Sequence, residues 1–112
     1  MNLKIKRLLL ARDVDAREPV GPADAFELDE VERIYAFVEV NNRDRVESEI
    51  FVTFEPADGP ARGHVRLRVG ASSRWRTWAF TRGVREAGSW AAVVRNGEGE
   101  LLARQPFEVS AS

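Results

Sequence analysis

The sequence predicts an all-β fold, a seven-stranded antiparallel immunoglobulin-like β-sandwich, and three observations carry that expectation. Apolar residues alternate with polar ones at period 2 through most of the chain, and no sustained 3.6-residue pattern competes with them. Turn-forming clusters rich in Gly, Pro, Asn and Asp recur at intervals of about 10 residues, the spacing of sandwich strands. The chain has 112 residues, the length of one domain with one core. A small partly open β-barrel fits the same pattern and is the alternative.

Each strand has its own signal. In "LKIKRLLLARDV", Leu3 and Ile5 alternate and Leu8 and Leu10 resume out of phase, so a bulge near Arg7 is expected in a long first strand. "REPVGPADAF" carries two prolines and a glycine and reads as a loop. "VERIYAFVEV" has β-branched and aromatic residues on both parities and reads as a central strand covered on both sides, or nearly so. After the turn "NNRDR", Ile50, Val52 and Phe54 form one face of a third strand. "HVRLRV" points Val65, Leu67 and Val69 inward and His64, Arg66 and Arg68 outward, a charged face that suits a sheet edge. "SSRWRTWAF" follows Gly70, then the loop "TRGVREAGS", then a strand around Trp90. "NGEGE" is a hairpin turn, and "LLARQPFEV" closes the fold.

Composition excludes several chemistries. The absence of cysteine removes disulfides, thiolate nucleophiles and cysteine metal clusters together. The apolar run Leu8–Ala11 is too short for the core of an export signal, and no stretch approaches the roughly 20 apolar residues of a membrane helix. The sequence as written therefore suggests a cytoplasmic chain without membrane insertion, or an envelope-associated one if it is part of a larger protein. His64 is the sole histidine and has no cysteine or second histidine with which to share a metal. Asp13, Asp15 and Glu18 are too few oxygen ligands for calcium, and ion pairing suits them better. No Gly-x-Gly-x-x-Gly or Gly-Lys-Ser/Thr loop is present to cradle a nucleotide. No catalytic residues, metal or cofactor are expected.

Charge is divided along the chain. Residues 1–58 hold 8 basic and 14 acidic side chains, and residues 59–112 hold 9 basic and 4 acidic ones, for a net charge of −1. Seven arginines lie between Gly59 and Arg85 with no acid among them. The expected outcome is interleaving, so that acidic and basic strands become neighbours in one sandwich. The net charge and the acidic first half argue against nucleic acid as a partner.

"VDAREPVGPADAF", "VERIYAFVEV", "SSRWRTWAF" and "AGSWAAVVRNGEGELLARQPFEV" together resemble the bacterial domain of unknown function family 2914, from about Ala11 to Val109. Arg17-Glu18-Pro19, the Arg-Trp-Arg-x-Trp element at Arg74 to Trp78, and Gly88 with Trp90 are its most specific elements. The resemblance implies a small β-rich domain, commonly appended to larger envelope or membrane-associated proteins, without catalytic residues to carry over. "EIFVTFEP" departs from the family's histidine- and tryptophan-containing run at that place.

The stretch with the most site-like composition contains Trp75 and Trp78. Three residues apart on a strand, they point to opposite faces unless a bulge intervenes. Burying Trp75, Thr77 and Ala79 avoids burying two guanidinium groups, so Trp75 belongs to the core and Trp78 stands beside arginines. The candidate binding residues are Arg66, Arg68, Arg74, Arg76, Trp78 and Phe80. The expected role is a non-enzymatic interaction module docking to another protein, domain or subunit of a bacterial assembly. The alternative is a module that binds an anionic glycan or similar ligand through this Arg/Trp face.

Overall fold

The computed structural model describes residues 3–111; Met1, Asn2 and Ser112, the ends of the expected 1–112 unit, lie outside the described residues. Nine strands form among the described residues: β1 (Leu3–Asp15), β2 (Glu18–Pro22), β3 (Ala25–Glu27), β4 (Ile34–Asn42), β5 (Ser48–Pro56), β6 (Arg62–Val69), β7 (Trp75–Thr81), β8 (Gly88–Asn96) and β9 (Leu101–Ser110). They make two sheets, β2-β1-β4-β7 (sheet A) and β3-β9-β8-β5-β6 (sheet B).

The expectation of seven antiparallel strands is corrected on two points. Residues 17–26, read as loop, contain β2 and the first two residues of β3. The breakers in β2 are tolerated because it is the edge of sheet A, where a proline forfeits no ladder hydrogen bond. β3 pairs parallel with β9, through Phe26 opposite Val109, whereas the other pairs are antiparallel. The seven longer strands match the segments expected from alternation, and the bulge in β1 falls between Ile5 and Arg7.

The core lies between the sheets and follows the period-2 pattern. Sheet A supplies Leu10, Ile34, Ala36, Val38, Val40 and Ala79, and sheet B supplies Ile50, Val52, Phe54, Trp90, Ala92, Val94 and Phe107. Trp90 stacks near Phe107 at 6.4 Å between ring centroids and donates its Nε1–H to the carbonyl of Glu86 at 3.1 Å. The indole thus buries its ring without orphaning its donor.

β6 and β7 belong to different sheets but run side by side, joined by the segment 70–74. Trp75 closes that seam. Its ring packs on Gly70, where an added Cβ would stand 2.5 Å from Cζ3, and its Nε1–H donates to the carbonyl of Arg68 at 3.0 Å. Gly70 is required here for space. Beside it, buried Asn42 donates through Nδ2 to the carbonyls of Val46 (2.7 Å) and Gly70 (3.0 Å), tying the β4–β5 and β6–β7 connections together.

Candidate functional site

The structure divides the six candidate residues between two surfaces. Arg66 and Arg68 lie on β6, at the edge of sheet B, with exposed side chains. Arg66 approaches Glu49 at 3.6 Å, and Arg68 bonds Glu47 while its guanidinium covers the ring of Trp75 at 5.1 Å. Arg74, Arg76, Trp78 and Phe80 lie on or just before β7, at the edge of sheet A. The interleaving of charge is general. Arg66, Arg68, Arg74, Arg76 and Arg95 from the basic half pair with Glu49, Glu47, Glu39, Glu18 and Glu55 from the acidic half.

Parity and register assemble the outer face of sheet A. β7 is regular against β4, so Trp75 faces the core and Trp78 turns outward, as the alternation predicts. Three rungs cross β1, β4 and β7: Arg7–Glu39–Arg76, Leu9–Phe37–Trp78 and Ala11–Tyr35–Phe80. Phe37 is absent from the inter-sheet core, yet its exposure is 0%. A second apolar layer therefore exists on the outer face.

Arg7 lies over Phe37 in that layer, and the β1–β2 hairpin reaches the same face through Glu18. Asp15 pairs with Glu18 around the two-residue turn Ala16–Arg17, whose φ angles of 50° and 60° match a type I′ turn without its usual Asn or Gly. Such angles cost a non-glycine residue about 1 kcal/mol each. If β1 ran straight, eight residues would carry Asp15 about 26 Å from Arg7, farther than two side chains can bridge. Yet Glu18 bonds Arg7 at 3.2 Å and Arg76 at 2.5 Å. The hairpin must turn back, with its tip over the outer face. Arg7 in turn bonds Glu39 at 2.7 Å and lays its guanidinium 4.9 Å from the centroid of Phe37.

These contacts set the electrostatics. Hydrogen bonds from Arg7 and then Arg76 hold the Glu18 carboxyl below the usual carboxylate range, and Arg7 does the same to Glu39 against the opposing effect of burial. Glu18 and Glu39 raise the Arg7 guanidinium. On sheet B, the Thr53 hydroxyl and then Arg95 lower Glu55 despite its burial. Glu27 moves the other way, raised by its neighbour Glu30.

The rung containing Phe80 is different. Phe80 is 43% exposed, the one aromatic among the exposed large apolar side chains of the described residues. Its ring lies 5.5 Å from that of Tyr35, with the guanidinium groups of Arg33 and Arg82 at 5.0 and 5.9 Å. Among the described residues, neither arginine has an ion pair within 4 Å. Two open grooves of about 370 and 400 Å³ meet at Val31 and Glu32; one passes Arg33 and Tyr35, the other Arg82 and Val84. Arg33, Tyr35 and Arg82 were not candidates from sequence. Arg33 is remote from Phe80 in the chain, and only the register of β4 against β7 joins them.

The remaining chemical candidates have structural surroundings. His64 is exposed and stacks on Phe51, with centroids 5.5 Å apart. Glu18 is engaged by two arginines, and no cluster of three or more metal-ligating side chains occurs among the described residues.

Comparison with known proteins agrees with this architecture. The chain is similar to an immunoglobulin-like protein from Pseudomonas aeruginosa, with a TM-score of 0.63 at 11% identity over 98% of both chains. That likeness establishes an immunoglobulin-like fold and nothing about activity. The second half of the chain carries the Arg-Trp-Arg-x-Trp element on β7 and Trp90 on β8, and it is there that a family model matches. Residues 56–109 match DUF2914, described as a protein of unknown function. The resemblance to DUF2914 seen in the sequence is thus supported over this segment, which contains Arg74 to Trp78, Gly88 and Trp90. Arg17-Glu18-Pro19, on the hairpin, lies outside the DUF2914 match. No curated protein matches the chain.

Proposed function

We propose that this chain is a non-enzymatic interaction module that docks onto another protein or domain, in the setting of a bacterial assembly or envelope complex. The observation that carries the reading is Phe80, an open aromatic ring framed by Arg33 and Arg82 on the outer face of sheet A. Aromatic and arginine side chains dominate the energetics of protein interfaces, because both bury large area and arginine adds directional hydrogen bonds. An anionic-glycan platform across β6 and β7 has less support. Arg66, Arg68, Arg74 and Arg76 all meet carboxylates, and they are split between two sheets.

The test is affinity capture from cells that carry the protein natively, comparing the unmodified chain with a Phe80→Ser, Arg82→Gln variant. A specific protein captured by the first and lost from the second supports docking through this surface. The same protein retained equally by both forms overturns it.

A further inference from the structure

We propose that the β1–β2 hairpin is a displaceable latch over the apolar layer of sheet A, and that the docking partner displaces it with an acidic segment whose carboxylate takes the place of Glu18 between Arg7 and Arg76. This inference rests on the docking role proposed above and names the chemistry of the partner.

Four observations converge on it. First, Leu9, Phe37 and Trp78 form an apolar rung on the outer side of a sheet, and Phe37 is nonetheless fully buried. Second, among the described residues the ion pairs that tie the hairpin tip to this face are all made by Glu18. Glu18 alone reaches both Arg7 and Arg76, and Arg76 has no other carboxylate within 4 Å among the described residues. When Glu18 leaves, Arg7 keeps Glu39 but Arg76 loses its ion-pair partner, so the uncovered face presents an unmatched guanidinium beside an aromatic layer. Third, β2 is an edge strand that pairs only with β1, and its turn stands at two positive φ angles without a glycine. Lifting the tip breaks no ladder to β4 or β7. Fourth, the hidden rung adjoins the Ala11–Tyr35–Phe80 rung, where Phe80 is already open. An incoming segment can settle on Phe80 before it reaches the covered rung.

The hairpin is itself a segment with the proposed chemistry, a carboxylate followed by apolar residues, and so it supplies the probe. A fluorescein-labelled peptide of residues 13–22, DVDAREPVGP, is titrated at millimolar concentration into the unmodified chain, a Glu18→Gln variant and a Glu18→Gln, Arg76→Gln variant. Removing the internal competitor raises the competent fraction, so Glu18→Gln is expected to bind the peptide about tenfold more tightly than the unmodified chain. Adding Arg76→Gln should abolish that gain, as should a peptide carrying glutamine in place of its glutamate. Trypsin cleavage after Arg17 provides a second reading, faster in Glu18→Gln than in the unmodified chain. Circular dichroism checks the fold, and Glu18→Asp, which shortens the catch and keeps its charge, replaces any variant that unfolds.

Equal peptide affinity for the unmodified and Glu18→Gln chains overturns the latch, as does binding that persists with Arg76→Gln. Failure of the latch with capture still dependent on Phe80 and Arg82 removes this inference and leaves docking standing. A working latch with capture indifferent to Phe80 removes the Phe80 surface instead.

Discussion

Replacing Gly70 by alanine is expected to destabilise the fold through one identifiable contact. The new methyl group would stand 2.5 Å from Cζ3, 2.8 Å from Cε3 and 3.0 Å from Cη2 of Trp75. These atoms belong to a rigid ring wedged between β6 and β7, with Nε1 tied to the carbonyl of Arg68. The ring cannot retreat without breaking that bond, and the backbone of Gly70 is fixed by Asn42 on its carbonyl. Overpacking of this kind costs about 1–3 kcal/mol. For a chain of this size that corresponds to a fall in melting temperature of about 4–12 °C. Urea unfolding with an unchanged m-value would report the loss as one of stability alone. Trp75→Leu supplies the control, because it removes the six-membered ring that the methyl group strikes. In that background Gly70→Ala should cost at most about 0.5 kcal/mol, so the two changes should couple by about 0.5 kcal/mol or more. A Gly70→Ala cost that is the same beside Trp75 and Leu would refute the steric account.

Three further outcomes are expected. Asn42→Ala should cost about 1–3 kcal/mol, because it removes the Nδ2 donor from the carbonyl of Val46 and leaves that of Gly70 with only the Ser72 N–H, and Asn42→Asp should fare no better, since a carboxylate cannot donate; urea midpoints measure both. Phe37→Ala should cost about 3–5 kcal/mol, as for a core phenylalanine, whereas Phe80→Ala on the same face should cost less than about 1 kcal/mol, judged from paired melting curves. Glu18, Glu39 and Glu55 bind protons less readily folded than unfolded, so their contribution is present above the ordinary carboxylate range and lost as pH falls through their lowered values. Glu27 is shifted upward and acts in the opposite sense. Glu39→Gln should therefore flatten the acid limb of a stability–pH curve and Glu27→Gln should not; an acid limb unchanged in Glu39→Gln would show that Arg7 is not the source of the effect.

The period-2 signal made the inter-sheet core legible because each inward residue sits two positions from the next, as with Val65, Leu67 and Val69 on β6. The same parity separated Trp75 from Trp78. β2 was hidden because its prolines and glycine are the residues that mark loops, and only its place at a sheet edge makes them compatible with a strand. β3 has three residues and too little sequence to show a period. On β4, apolar residues of both parities announced cover on both sides. The hairpin's return to the outer face could not be read, because it depends on a bend in β1 and on Glu18 meeting Arg76 across 58 residues. The arginine-rich stretch looked like one site because its residues are consecutive in the chain. Folding assigns Arg66 and Arg68 to one sheet and Arg74 and Arg76 to the other, and brings each to an acid from the first half.

The four margins of the two sheets limit how this chain can meet another. β2 presents Pro19 and Pro22, β3 offers three residues, β6 carries Arg66 and Arg68 and a register break between Thr53 and Phe54 of its neighbour, and β7 lies against β6. None presents a long flat ladder, so adding a strand from a second molecule would cost more at every margin than at an open edge. Concentrated protein should therefore resist fibrous stacking, and recognition is left to side chains on the sheet faces.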